Sequence, residues 1–308
     1  MPVDLEFDYK QSTASMDIFS QSSIDELRAW TEKLDKSKYV PKDLSDKQIL
    51  LFYNACYGDV ERTKSCIEKY YSCRKNAPEF FDNRYLHLED MKNAQQVLEF
   101  SFLPGKSCDG YDIVYHRLHD TDPSKYSLET GVKLLFMTLD ACLYKRGPSP
   151  GFIFLFDMRG VRFGHITRIS LFCQKERKRS LRKFFNYIQE GVPVRMRAIH
   201  VLNTEPVLDK LILLIRPFMD KKFFDMIKFH NKTEDLESFY ETAIPRSSLP
   251  PDHGGTLPDT QTLHKKCMQQ LQLLEPYFKA EEEQRIAALP DKKREKAMEK
   301  AFKNLEID

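Results

Sequence analysis

Apolar residues follow a helical rhythm over roughly the first hundred positions of this chain and a mixed strand-and-helix rhythm after that. Ser23-Ile-Asp-Glu26 has the spacing of a capping box and predicts a helix running to about Lys36. Ser45-Asp-Lys-Gln48 starts a second, and a longer helix is predicted from Asp59 to Arg74. On that helix Ile67, Tyr70 and Tyr71 recur at three- and four-residue spacing, which makes one face apolar. The front third therefore reads as a small helical unit.

The pattern changes near Leu103-Pro-Gly105. Tyr111, Ile113 and Tyr115 alternate as in a strand, and a helical pattern follows over residues 127–145. After Gly147-Pro-Ser-Pro-Gly151 comes Phe152-Ile-Phe-Leu-Phe156, continuously apolar, as expected of a strand buried on both faces. A long helix is predicted over 165–189, a strand over Ala198–Leu202, a helix from Pro206 to Phe218 and a return to the sheet near Met226–Phe229. Strands separated by helices of this length imply crossovers, hence an α/β fold with a mainly parallel sheet and covering helices. Two further helices are predicted over 261–277 and 281–304. The chain thus divides into a mobile lead (1–20), a helical domain (21–100), an α/β domain (101–258) and a C-terminal helical extension (259–308).

Composition narrows the class. A chain of 308 residues that is 41% hydrophobic, with 22 Phe and 14 Tyr, is too apolar and aromatic to be mainly disordered. Its densest apolar runs, Phe152–Phe156 and Leu211–Ile215, fall far short of the roughly 20 residues a membrane helix needs. The opening Met-Pro-Val-Asp-Leu-Glu-Phe does not read as a signal peptide. Seven cysteines, at 56, 66, 73, 108, 142, 173 and 267, include no Cys-x-x-Cys pair and no even disulfide framework. A reduced, cytoplasmic protein is the expectation. The net charge of +2 conceals a segment, 175–232, with 14 Lys or Arg against 6 Asp or Glu. Its densest part, Lys175–Lys183, is either a solvated helix face or an attraction for anionic partners. No paired Cys/His finger, basic heptad or RNA-binding aromatic pair supports nucleic acid as that partner.

Catalytic signatures are missing. There is no Gly-x-Gly-x-x-Gly run, no phosphate loop and no Gly-x-Ser-x-Gly elbow. His116 and His119 lack the arrangement of a metal-binding His-Glu-x-x-His helix. Asp157, at the end of the apolar strand, is well placed for a catalytic carboxylate, but the favoured role is to accept backbone N–H bonds in the following turn. His200 reads as a paired core or rim histidine. The expectation is a non-enzymatic protein with no metal and no cofactor.

Phe156-Asp157-x-x-Gly160, Val192 through Asn203, Ile215-Arg216-Pro217-Phe218-Met219-Asp220-Lys221-Lys222 and Leu249-Pro-Pro-Asp-His-Gly-Gly255 occur in an order and separation that resemble the CRAL-TRIO lipid-binding family. The similarity is greatest to its tocopherol-transfer and retinaldehyde-binding branch, with an insect-like cast. It covers residues 20–255 and is strongest over 150–255. The family's basic Phe-Leu-Arg-Ala-Arg-Lys-Phe segment is replaced by Leu51-Phe-Tyr-Asn-Ala-Cys-Tyr-Gly58.

This resemblance implies a curved sheet flooring an apolar cavity, a mobile gate helix over its mouth, and exchange of a hydrophobic small molecule or phospholipid at membranes. Carried onto this chain, the gate comprises Val207, Leu208, Leu211, Leu214, Ile215 and Phe218. The cavity lining is expected among Phe152, Phe154, Phe156, Val201, Leu208, Leu211, Ile215 and Phe218. Arg195, Arg197 and Lys222 match basic positions near a phosphoinositide-binding surface, with Arg216 and Lys221 nearby; Met226 stands where that surface has a further base. The expected function is carriage of a tocopherol, retinoid, carotenoid or similar lipid, with transient docking on anionic intracellular membranes. The alternative is a membrane-recruitment or scaffold module that moves no lipid.

Overall fold

The computed structural model describes residues 19–35, 39–174, 178–289 and 294–295. The expected lead lies outside the described residues except for Phe19, which packs against the core, and Ser20. Ser20, rather than Ser23, caps the first helix, α1 (Gln21–Lys33). Its hydroxyl accepts the Ser23 N–H, while Glu26 takes the Lys64 ammonium at 2.8 Å instead of closing a capping box. The Ser45–Gln48 box is fully formed at the start of α2 (Asp46–Ala55). Asp59 caps α3 (Val60–Asn76), which buries Ile67 and Tyr70 against its neighbours. The short α4 (Pro78–Phe81) and α5 (Glu89–Val97) complete this helical part; neither has a clear sequence signature.

A five-stranded sheet follows, in the order β1 (Leu98–Lys106), β2 (Asp112–Leu118), β3 (Phe152–Asp157), β4 (Met196–Thr204), β5 (Ile227–Asn231). The first pair is antiparallel and the other three pairs are parallel. Sequence reading stopped short of β1 because Pro104-Gly105 looks like a breaker. The strand tolerates both because it is an edge with an irregular register between Phe102 and Lys106. Gly105 is required there: a Cβ would lie 2.4 Å from the Ser248 hydroxyl.

The crossovers are α6 (Leu128–Arg146), then α7 (Phe163–Gln174) with α8 (Lys178–Asn186), then α9 (Val207–Ile215) with α10 (Lys221–Asp225). Of the single helix expected over 165–189, residues 175–177, within the basic Lys175–Lys183 run, lie outside the described residues; its last part is a π turn at Tyr187–Gly191. Each crossover advances one strand in the same direction, so the right-handed rule places all these helices on one face of the sheet. Strand parity agrees. Val114, Phe152, Phe154 and Val201 join one large cluster with α6, α8 and α9. Ile113, Tyr115, Ile153, Leu155 and Leu202 face a second cluster covered by Phe239 of α11 (Glu237–Thr242), Ile244, Leu249 and Leu263. The C-terminal helices are α12 (Thr260–Leu273) and α13 (Glu275–Ala287). They divide at Leu274, earlier than expected, because Pro276 fits only the first turn of a new helix.

Candidate functional site: an apolar sheet-and-helix face and a basic groove

The eight residues expected to line a cavity all come to one side of the sheet. Phe152, Phe154 and Val201 project from β3 and β4 and are buried; Phe156 is half-buried at the strand end. Above them, Leu208, Leu211 and Ile215 of α9 and Phe218 of the following 3-10 turn join the same cluster. The arrangement follows from period two on the strands and period 3.6 on the helix.

Of the expected gate residues, only Leu208 is buried; Val207, Leu211, Leu214, Ile215 and Phe218 are half-buried. Sequence spacing missed Ile212, which is half-buried and packs against the core cluster, and Leu213, which lies on the outer side. Leu213 is 76% exposed, and both line a surface groove of about 550 Å³ together with Phe229, itself 40% exposed. Phe163, at the start of α7, is 58% exposed, and the Lys210 ammonium sits 4.6 Å from its ring centre. The missed signal was the unbroken run Leu211–Ile215. Five successive apolar residues on a helix leave no polar face.

The expected basic residues separate into two groups. Arg195 and Lys222 line a groove of about 440 Å³ between the α2–α3 turn and the chain from the π turn to α10. Arg62 and Lys69 of α3, which sequence reasoning did not select, line it too. Lys69 pairs with Glu190 at 2.7 Å, and Arg62 lies 3.4 Å from Asp59. Arg195 donates through Nε to the Asn54 carbonyl at 2.6 Å and stacks 4.3 Å from the centre of the Tyr57 ring. Its Nη2 is buried without a partner. Burial, with the neighbouring Arg197 charge, lowers the Arg195 pKa from its usual value. Arg197 shares the Tyr57 ring at 5.4 Å and donates to the Pro150 carbonyl at 2.9 Å.

Arg216 and Lys221 are engaged elsewhere. Arg216 donates to the Met219 carbonyl and lies 4.4 Å from the Phe224 ring centre, while Lys221 pairs with Asp225 at 2.7 Å. Met226 lines the groove, an apolar patch where the resemblance calls for a base. The cations of the groove outnumber its two anionic residues, Glu190 and Asp220, so its field favours an anion.

Asp157 has a structural set of partners. It accepts from the Arg159 N–H at 3.0 Å and from Asn203 Nδ2 at 2.7 Å. Burial pushes this carboxyl up, but the Arg159 hydrogen bond and the nearby His253 and Arg159 charges outweigh it, leaving the pKa below the usual value. His200 Nδ1 lies 2.9 Å from His230 Nε2, a paired position at the rim of β4 and β5. Among the described residues no group of three His, Cys, Asp or Glu side chains could hold a metal, and no helix is long and apolar enough to cross a membrane.

Comparison with known proteins places this geometry. The chain is 28% identical over 220 residues to an alpha-tocopherol transfer protein-like protein of Homo sapiens, and 26% identical over 226 residues to one of Mus musculus. These alignments cover 71% and 73% of this chain, and it spans only 61% and 62% of the relatives' own lengths. Clavesin-2 of Mus musculus is 26% identical over 140 residues, 44% of this chain and 39% of that protein. These relatives are mammalian and lend no support to the insect-like cast. The solved structure of Sfh5 aligns with 82% of this chain and 98% of its own at 12% identity, with a TM-score of 0.44. Residues 19–91 match the Pinta-like UBA domain model, and residues 98–255, just over half of the chain, match the CRAL/TRIO domain model. The chain belongs to the CRAL/TRIO domain family.

Proposed function

We propose that this protein is a non-enzymatic carrier that holds a hydrophobic lipid between its sheet and α9 and exchanges it at anionic membranes. The observation that carries this reading is α9. It is apolar on all sides except at Asp209 and Lys210, yet only Leu208 is buried. A helix held only by core packing would turn its polar side to water. Here Leu208, Leu211 and Ile215 join the cluster that holds Phe154 and Val201, while Leu213 stands exposed in a groove shared with Phe229. Such a helix can trade contact with cargo for contact with a bilayer at modest cost. Burying about 200 Å² of its apolar surface would contribute about 5 kcal/mol.

The basic groove gives docking a direction. Arg195 offers a buried, unpartnered guanidinium N–H, and Lys222 adds a less directional charge, a combination suited to a phosphorylated headgroup such as a phosphoinositide. The names of the tocopherol-transfer-like relatives favour a tocopherol, or a retinoid or carotenoid of similar shape, as cargo. The protein would work in the cytoplasm and associate with membranes transiently. Native mass spectrometry followed by lipid extraction tests the reading: one co-purifying hydrophobic lipid is expected, and its transfer between vesicles should depend on Leu211 and Leu214. Retained cargo with no transfer, and no effect of Leu211→Asp or Leu214→Asp in folded protein, would instead favour a recruitment module.

A further inference from the structure

Tyr57 stands at the edge of the basic groove in a conformation that its backbone alone would not choose. It follows α2 in a tight turn, where the Gly58 N–H donates to the Tyr53 carbonyl at 2.9 Å. Its φ is 58°, in the left-handed region, where a bulky side chain is an outlier. Asn83 and Asn203 share that region, as asparagines readily do. The ring is also 50% exposed, so core packing does not account for it. Backbone strain kept at an exposed aromatic residue points to a role for the ring.

Two guanidinium groups lie against that ring, Arg195 at 4.3 Å and Arg197 at 5.4 Å from its centre. Arg195 and Tyr57 both line the groove, and the shared ring brings the Arg197 charge to its edge. Each arginine is also tied to a backbone carbonyl. Arg195 Nε donates to Asn54 at 2.6 Å, and Arg197 Nε and Nη2 donate to Pro150 at 3.2 and 2.9 Å. Tyr111 offers Arg197 a second ring at 5.1 Å. Gly151 leaves the space this needs, since a Cβ there would lie 2.5 Å from Arg197 Cγ. Like charges repel, and long side chains left in water would drift apart; an aromatic quadrupole attracts both. Held in this way, each arginine has few rotamers left to lose when an anion arrives. The buried Arg195 Nη2 has no acceptor among the described residues.

We propose that Tyr57 is a positioning residue whose ring holds Arg195 and Arg197 as a preformed clamp for a phosphomonoester group. The clamp distinguishes such a group from diffuse negative charge, because guanidinium donors fixed in place match the geometry of phosphate oxygens. This rests on the reading of the groove as the docking surface for a phosphorylated headgroup. Without the ring the same charges remain, but they are free to move and favour any anion.

The test is Tyr57→Asn in the whole chain, which removes the ring, changes no charge and suits the left-handed turn. Binding to phosphatidylcholine vesicles carrying a phosphoinositide should weaken about fivefold or more, the cost of ordering two freed arginines. Binding to vesicles of equal charge made with phosphatidylserine should stay within about twofold, because the net field is unchanged. Tyr57→Gly, a second ring-free variant that fits the turn, should behave alike, whereas Tyr57→Phe and Tyr57→Trp should restore most of the affinity. Soluble inositol trisphosphate should show the same drop with Tyr57→Asn. A drop confined to vesicles would overturn the proposal, since the ring would then be inserting into the bilayer, and so would an equal drop on phosphatidylserine. Ring-free variants that bind phosphoinositide vesicles as the original protein does would overturn it alone and leave the groove reading standing. An original protein that ignores those vesicles would overturn both.

Discussion

Replacing Leu213 with Asp separates the side of α9 proposed to meet a membrane from its packing side. Leu213 is 76% exposed, so about a quarter of its side chain is already covered by protein. Fully burying a leucine is worth about 1.5–3 kcal/mol, so lifting the exposed part into a bilayer is worth about 1–2 kcal/mol. That corresponds to a loss of about five- to thirtyfold in vesicle partitioning when the side chain is removed, and the introduced carboxylate adds to the loss. Folding should hardly change, because surface substitutions away from special features fall within about 0.5 kcal/mol. Leu208, only 6% exposed on the same helix, supplies the contrast. Leu208→Ala should cost about 2–5 kcal/mol of stability through the cavity it leaves. Vesicle co-sedimentation at several salt concentrations, alongside thermal unfolding, reads both effects. The Leu213 effect should persist at high salt, because it is apolar rather than electrostatic. Vesicle binding of Leu213→Asp within twofold of the original protein, at equal stability, would refute the reasoning.

Reversing Arg195 and Arg197 to Glu should weaken binding to phosphoinositide-containing vesicles, by about 1 kcal/mol for each base removed from an anionic surface. That loss should shrink with salt; equal binding at physiological salt would remove the groove from the docking surface. Asp140→Asn strikes a buried cluster in which Asp140 receives Arg74 and Arg84 while Glu281 of α13 pairs with Arg84. Leaving those guanidinium groups short of one negative charge should cost about 3–5 kcal/mol, measurable by urea unfolding, and a change under 1 kcal/mol would contradict it. Acid should destabilise the fold before the carboxylates titrate. Burial lowers His116, His200 and His253 to about 4, against about 6.5 in an unfolded chain. Unfolding therefore takes up protons in that window, and the stability these rings carry is whole above about 6.5 and declines toward about 4. A melting temperature that stays flat between those values would count against three neutral buried rings.

The sequence by itself determined the local elements whose causes are local. The Ser45–Gln48 capping box and the continuous apolar run of β3 each act within a few residues, and each stands where its pattern put it, while Asp59, expected as the first residue of a helix, caps it instead. The parallel sheet was also legible, because crossover length and chirality leave few ways to connect such strands. Period two, with the resemblance, put Phe152, Phe154, Phe156 and Val201 on one list, since register moves alternate side chains as a set. Ser23 failed as a cap because Glu26 found Lys64 on another helix, a partner absent from any local window. The edge strand β1 was hidden because its Pro104-Gly105 is acceptable only where a neighbouring strand is missing.

Only the tertiary structure decided which charges act together. Arg195 and Lys222 share a groove with Arg62 and Lys69, which come from a helix more than a hundred positions earlier in the chain, whereas Arg216 and Lys221 spend their charge on local partners. Hydrophobic periodicity is short-ranged and repeats along the chain, so it can be read in one dimension. Charge pairing depends on distance and solvent exposure in three, and those are fixed only when separate elements pack.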